Sequence, residues 1–169
     1  DLGVDLLTLA GHKFYAPKGV GALYVREGTE IDPIIHGASQ EYGLRAGTEA
    51  VSQVVALGKA CEIVSDSLDQ FSKHLFNLRE RLYEQLLSNV SSLRLNGHPT
   101  KRIVNTLNVA FPDVAATDIL AETPEVAASP GAACHAEACS VSHVLSAMGV
   151  PENYALGSIR LSLGKWSID

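Results

Sequence analysis

An α/β or α+β fold is predicted by three features of the 169-residue sequence. Short apolar runs alternate with helical patterns along the chain. One unbroken apolar stripe of helical period fills its middle, and glycine- and proline-rich turns separate the other elements. Hydrophobic residues make up 46% and charged residues 19%, which supports a packed core and excludes wholesale disorder.

Val4 to Leu9 reads as a short strand, and its apolar character predicts burial on both faces. It runs into Gly11-His12-Lys13 and then Pro17-Lys18-Gly19-Val20-Gly21, a dense set of turn formers, before a second strand from Ala22 to Val25. From Ile34 to Glu49 no period holds; Gly37, Gly43 and Gly47 are scattered among polar side chains, which predicts a long functional or linking loop. Then Val54, Leu57, Cys61, Val64, Leu68, Phe71, Leu75, Leu78, Leu82 and Leu86 recur three and four apart. They predict one helix from about Ala50 to Ser88, with Cys61 as an inert core residue on its stripe. Ser65-Asp66-Ser67 is the place for a bend or a crossing between lobes, since a helix this long needs more than one partner surface. Leu93 to Leu95, Asn105 to Phe111 and Val126 to Ser129 read as strands, Thr117 to Glu122 and His143 to Met148 as short helices. Ser158 to Leu163 alternates like a strand.

The formal net charge of −6 gives no global attraction to nucleic acid or anionic membrane, and no apolar run is long enough to span a bilayer. Neither is expected as a partner. The sole methionine is Met148 and the sequence opens at Asp1, so the chain reads as a piece of something longer. Cys61, Cys134 and Cys139 are too few for a disulfide scaffold and favour a reducing compartment, the cytoplasm or an organellar matrix.

Several residues carry possible chemistry. Lys13, after a buried strand, would lose hydration and have its amine pKa lowered, as a Schiff-base lysine requires; alone, it reads better as a surface lysine in a turn. Cys134 lies on a run of small residues after Pro130-Gly131, where a substrate can reach a thiol and His135 can help form the thiolate. Cys134, His135, Cys139 and His143 also suit zinc, but without a second pair at finger spacing that reading is the weaker, and no metal is expected. Arg160 is a charge among apolar strand residues, either a bidentate carboxylate clamp or a plain edge-strand arginine. Gln40, Arg45 and Thr48 sit on the glycine-bearing loop, where N–H groups and a hydroxyl could hold a phosphate.

In order, these segments resemble one family. Gly11-His12-Lys13-Phe14-Tyr15-Ala16-Pro17-Lys18-Gly19-Val20-Gly21-Ala22-Leu23-Tyr24 is similar to the cofactor-lysine segment of cysteine desulfurases and selenocysteine lyases, pyridoxal-phosphate enzymes of the class V aminotransferase fold. His36-Gly37 through Arg45-Ala46-Gly47-Thr48-Glu49 resembles their next signature, Gly131-Ala132-Ala133-Cys134 their cysteine segment, and Ser158-Ile159-Arg160-Leu161-Ser162-Leu163-Gly164 their carboxylate-binding strand. Asn105-Thr106-Leu107-Asn108-Val109 fits between.

The resemblance implies an α/β fold of fold type I: the end of the large cofactor domain over residues 1–66, and most of the small C-terminal domain over 67–169, with the long helix crossing between them. It implies that Lys13 carries pyridoxal 5'-phosphate as a Schiff base, that His12 helps bind its phosphate, and that Thr48 reaches the phosphate of a partner subunit in a homodimer. Cys134 would attack the sulfur of L-cysteine or, in the alternative lyase reading, the selenium of L-selenocysteine, leaving L-alanine and a persulfide or selenide; Arg160 would grip the substrate carboxylate, and a sulfur-acceptor protein could follow. Ala10, Ala16 and His135 depart from the common desulfurase pattern, and Phe14-Tyr15 with Cys134-His135 lean toward the selenocysteine lyase branch. The family's aspartate facing the pyridine nitrogen and its ring-stacking histidine lie in a half that precedes this sequence, so the isolated chain is expected to bind cofactor weakly or not at all. A truncated, non-catalytic partner-binding module is the alternative from another class.

Overall fold

The computed structural model of the chain describes residues 2–130 and 141–168. Its elements run β1 (Leu6–Ala10), a 3-10 turn (Gly11–Phe14), β2 (Gly21–Val25), a second 3-10 turn (Gln40–Gly43) and α1 (Val51–Asn89). There follow β3 (Arg94–Leu95), β4 (Thr106–Ala110), α2 (Ala116–Glu122), α3 (His143–Ala147), α4 (Glu152–Ala155) and β5 (Ser158–Ser162). The chain divides into two compact units, Asp1–Leu68 and Asp69–Asp169.

In the first unit β1 and β2 form a two-stranded antiparallel ribbon in the register Leu6↔Val25 to Ala10↔Gly21. The predicted two-faced burial of the first strand is not found. Leu6, Leu9, Leu23 and Tyr24 are exposed, because a lone ribbon has no layer on either face to cover its side chains. Packing is concentrated instead where Ala16, Leu57 and Ala60 meet, with Phe14 and Val20 against them.

The long helix spans Val51–Asn89 without interruption. The helical assignment continues through Ser65-Asp66-Ser67, and the division between the two units falls just after it. The Ser67 hydroxyl donates back to the Ile63 carbonyl, so a group that could compete with the helix is absorbed by it. In its last turn Ser88 Oγ and Asn89 Nδ2 both donate to the Gln85 carbonyl. The apolar stripe is covered unevenly. The turn around Gly11 spans little more than one helical turn, so Leu57 and Ala60 are buried while Val54 and Leu68 are exposed. Cys61 is exposed too, which corrects its expected place in the core.

In the second unit β3, β4 and β5 form an antiparallel sheet in that order. Leu107, Val109, Ala110 and Ile159 are its buried apolar residues, and Leu145, Val150 and Ala155 form a small cluster under α3 and α4. The expected strand from Val126 to Ser129 is reduced to one bridge, Ser129↔Arg160. Thr123 and Val126 carbonyls accept the amides of Val126 and Ala128, and this tight turning keeps the segment from extending along β5. The short helix α4 carries no periodic signal long enough to read from sequence. Arg79 of α1 is a buried cation, satisfied by Glu80 Oε1 at 2.8 and 2.5 Å and by the Ile103 carbonyl at 2.9 Å, and stacked 4.9 Å from the Phe76 ring centroid. Arg102 donates to the Asn96 carbonyl at 3.0 Å, and burial, then the nearby Arg79 charge, push its guanidinium pKa below the ordinary value.

Two glycines separate the packing constraints. At Gly157 a Cβ would run into the Phe111 carbonyl oxygen and lie 2.7 Å from that of Val114, whereas at Gly58 on α1 it would meet nothing within 4 Å. Gly157→Ala is expected to destabilise the protein by about 1–3 kcal/mol. Gly58→Ala should stabilise it by roughly 0.5–1 kcal/mol. Urea midpoints of the two variants, read at constant m-value, check the opposite signs.

Candidate functional site

Lys13 and His12 lie on the 3-10 turn Gly11–Phe14 between β1 and β2, and both side chains are exposed. The turn is closed by backbone bonds: Gly11 N donates to the Val20 carbonyl at 3.0 Å, and Ala16 N to the Gly11 carbonyl at 3.1 Å. It ends at Tyr15, whose φ of 71° is left-handed, a conformation that costs a residue with a Cβ about 1–2 kcal/mol. What holds it there is the contact beneath. A Cβ on Gly11 would stand 2.8 Å from the Val20 oxygen and 3.0 Å from both Ala16 Cβ and Leu57 Cδ1. Only glycine fits against the Val20 carbonyl oxygen, with Leu57 of α1 packed beside it, and so Lys13 is presented by a tightly closed turn. The desolvation expected of Lys13 is not seen, since the strand before it is itself exposed. Among the described residues neither Lys13 nor His12 has a hydrogen-bonding or ion-pair partner.

Thr48 follows on the loop of residues 34–49 and is exposed. The loop is ordered by its own contacts. Ala46 is buried, and a Cβ on Gly37 would come 2.8 Å from Ala46 Cβ. Gly47, at φ 119°, donates its N–H to Gln40 Oε1 at 3.1 Å. Arg45 donates to the Ala46 carbonyl through one guanidinium nitrogen. Glu41, Tyr42 and Gly43 have φ of 49°, 60° and 82° in succession, a tight left-handed reversal with Tyr42 fully exposed.

Arg160 is in the second unit, in the middle of β5 and half-buried. It pairs with Asn108 on β4. On its other side it exchanges both backbone bonds with Ser129, at 2.8 and 3.2 Å, so β5 is not a free edge at this point. Its guanidinium has no side-chain partner among the described residues. His143 opens α3 and is exposed. Cys134, His135 and Cys139 lie outside the described residues. Lys13, His12 and Thr48 thus share the first unit and Arg160 stands in the second.

Sequence reasoning passed over Asn96 and Ser158. Asn96 Nδ2 donates to Asn108 Oδ1 at 2.7 Å and to Ser158 Oγ at 3.0 Å, and Ser158 Oγ donates to the Tyr154 carbonyl at 3.1 Å. Asn96 and Ser158 are buried. The available signal was Asn108 itself, a β-disfavoured residue at the centre of an otherwise apolar strand.

The family model for aminotransferase class-V matches residues 1–167. "Cysteine desulfurase IscS" of Methanosarcina thermophila is 46% identical over 166 residues, 97% of this chain and 41% of that protein. Among solved structures, a "NIFS-like protein" superposes with a TM-score of 0.85 at 35% identity, covering 99% of this chain and 43% of its own. "SspA in complex with cysteine" does so with a TM-score of 0.69 at 34% identity, covering 98% and 45%. The chain therefore spans about two fifths of the length of the relatives it matches and carries the α/β fold of the corresponding part.

The Gln40 clamp on Gly47 gives a direct test of loop order. Gln40→Ala removes a hydrogen bond of about 1 kcal/mol, so exchange of the Gly47 amide should accelerate roughly fivefold. Hydrogen-exchange mass spectrometry on the peptide spanning 40–49 reads it, with the peptide spanning 106–110 as the unaffected reference.

Proposed function

The chain belongs to the class-V aminotransferase family, and we propose that it forms part of a pyridoxal-phosphate-dependent cysteine desulfurase. The carrying observation is 46% identity along 97% of the chain to a protein named a cysteine desulfurase. A relative of the same fold is described in complex with cysteine, which supports cysteine as the substrate.

The residues present fit the cofactor. The Lys13 amine is exposed, without an ion-pair partner among the described residues, on a turn seated by Gly11. Lys13 would hold pyridoxal phosphate covalently, with His12 against it and Thr48 on the phosphate of a partner subunit's cofactor. Residues 1–66 would be the end of the large cofactor domain, and 67–169 most of the small one. When bound, the cofactor supplies an electron sink for the substrate's α-carbon.

The protein's part is orientation and proton transfer. Arg160 would fix the substrate α-carboxylate by paired N–H···O bonds. The Lys13 amine, once released, would move the proton at the α-carbon. The Cys134 thiolate would attack the substrate sulfur, forming the S–S bond as the Cβ–S bond breaks, and the carbon fragment would take up a proton to leave as alanine. The balance is L-cysteine plus a protein thiol giving L-alanine plus a protein persulfide, which a sulfur-acceptor protein would discharge.

The full-length protein tests this. Borohydride reduction followed by peptide mass spectrometry should find a pyridoxyl group on Lys13, lost in Lys13→Ala. Cys134→Ser should keep that group while sulfide release from L-cysteine under thiol falls at least about a hundredfold. Unchanged release would remove Cys134 from the reaction, and no pyridoxyl group at all would favour a non-catalytic partner-binding module. Selenide release from L-selenocysteine at least about a hundredfold faster than sulfide release from L-cysteine in the unaltered protein would assign the selenocysteine lyase branch that Cys134-His135 suggests.

A further inference from the structure

The polar row on the three-stranded sheet ends at Arg160, and its hydrogen-bond direction can be worked out from the far end. The Tyr154 carbonyl can only accept, so the Ser158 hydroxyl 3.1 Å away directs its proton there. Ser158 Oγ then accepts from Asn96 Nδ2 at 3.0 Å, which fixes the Asn96 amide. The same Nδ2 donates to Asn108 Oδ1 at 2.7 Å. The Asn96 backbone is held as well, by its N–H to the Asn108 carbonyl at 3.0 Å and its carbonyl to Arg102 at 3.0 Å. The acceptor of Asn108 is thus engaged within the sheet, and its NH2 has no acceptor among the described residues.

Asn108 and Arg160 stand opposite each other in register. The N–H and C=O of Arg160 are turned away from Asn108 toward Ser129, and the Asn108 carbonyl is turned toward Asn96. Theirs is therefore a non-hydrogen-bonded antiparallel pair, in which Cα atoms approach to about 4.5 Å and side chains stand closest. An amide NH2 and a guanidinium rise beside each other from one face. Both are donors and neither can satisfy the other. An anion with several lone-pair sites satisfies both, and a carboxylate has the shape for it.

We infer that Asn108 is a second carboxylate-binding residue, donating Nδ2–H to the same α-carboxylate that Arg160 holds. The inference rests on the Arg160 clamp of the proposed function, and it gives a role to an asparagine in a central strand where threonine or valine would suit the sheet better. Asn96 and Ser158 act through it as positioning residues, since they set which end of the amide faces outward.

The test uses the full-length holoenzyme with Asn108→Ala, Asn108→Asp and Arg160→Lys. Asn108→Ala should raise KM for L-cysteine about tenfold, the loss of one hydrogen bond to a charged group, with kcat held within about threefold. Calorimetric Kd for L-alanine should weaken by the same factor, while that for ethylamine, which lacks the carboxylate, stays unchanged. Asn108→Asp keeps the acceptor for Asn96 and replaces the donor by a charge that captures Arg160, so its KM should rise further. Unchanged KM and L-alanine affinity in Asn108→Ala overturn the inference; where that variant does not fold, unchanged values in Asn108→Asp overturn it. A weakened ethylamine affinity equal to that for L-alanine also overturns it, as the mark of a structural defect. Failure of the clamp is separate: it appears as an Arg160→Lys variant whose affinity for L-alanine equals that of the parent.

Discussion

At Gly11 the backbone of the lysine turn lies nearer to the Val20 carbonyl oxygen than any side chain would allow, with Leu57 of α1 packed beside it. The bond from Gly11 N to the Val20 carbonyl closes the turn, Ala16 fills the space beside it, and Ala60 completes the floor. Burying a leucine at such a point is worth about 1.5–3 kcal/mol, in a unit whose ribbon contributes little burial of its own. The conformation of residues 11–16, left-handed Tyr15 included, follows from that seat. So does the direction in which Lys13 leaves the backbone.

The second unit carries a buried polar network beside its apolar core. Arg79 is buried yet meets a carboxylate, a carbonyl and an aromatic face, which is what a desolvated guanidinium needs to be tolerated. The neighbouring Arg102 bonds the Asn96 carbonyl, and from Asn96 the chain of hydrogen bonds runs to Asn108, Ser158 and the Tyr154 carbonyl. Each link has a fixed donor and acceptor, so the network is directional and leaves donors at the Arg160 end.

Much of this was legible in the sequence, and the exceptions share a cause. The helix could be read to within a residue or so at each end because its period holds over ten turns or so of apolar spacing. Lys13, Thr48 and Arg160 stand out by motif as candidates, and the folded chain places the first two on exposed turns and loops and the third on β5. What could not be read is which apolar residues find a cover. Leu6, Leu9 and Cys61 carry the pattern of buried residues and are exposed, since pattern records the side chain and not the layer opposite. The Val126–Ser129 strand failed for a related reason: pairing needs a straight partner edge, and the turn at Thr123 to Val126 allows contact at Ser129 alone. Asn96 and Ser158 escaped because cross-strand register, which brings them to Asn108, is a property of the folded sheet.

The crowding at Gly11 has a consequence for how this segment can change over evolutionary time. Of the atoms that a side chain there would meet, those of Ala16 and Leu57 belong to side chains and the Val20 oxygen to the main chain. Shrinking both Leu57 and Ala16 would relieve two of the three collisions and leave the third untouched. Positions 11, 16 and 57 therefore form a set whose sizes are linked, with the helix residue free to vary only so far as the turn stays on glycine. Drift on α1, far along the chain from the lysine, is thereby bounded by the geometry of the lysine's own turn.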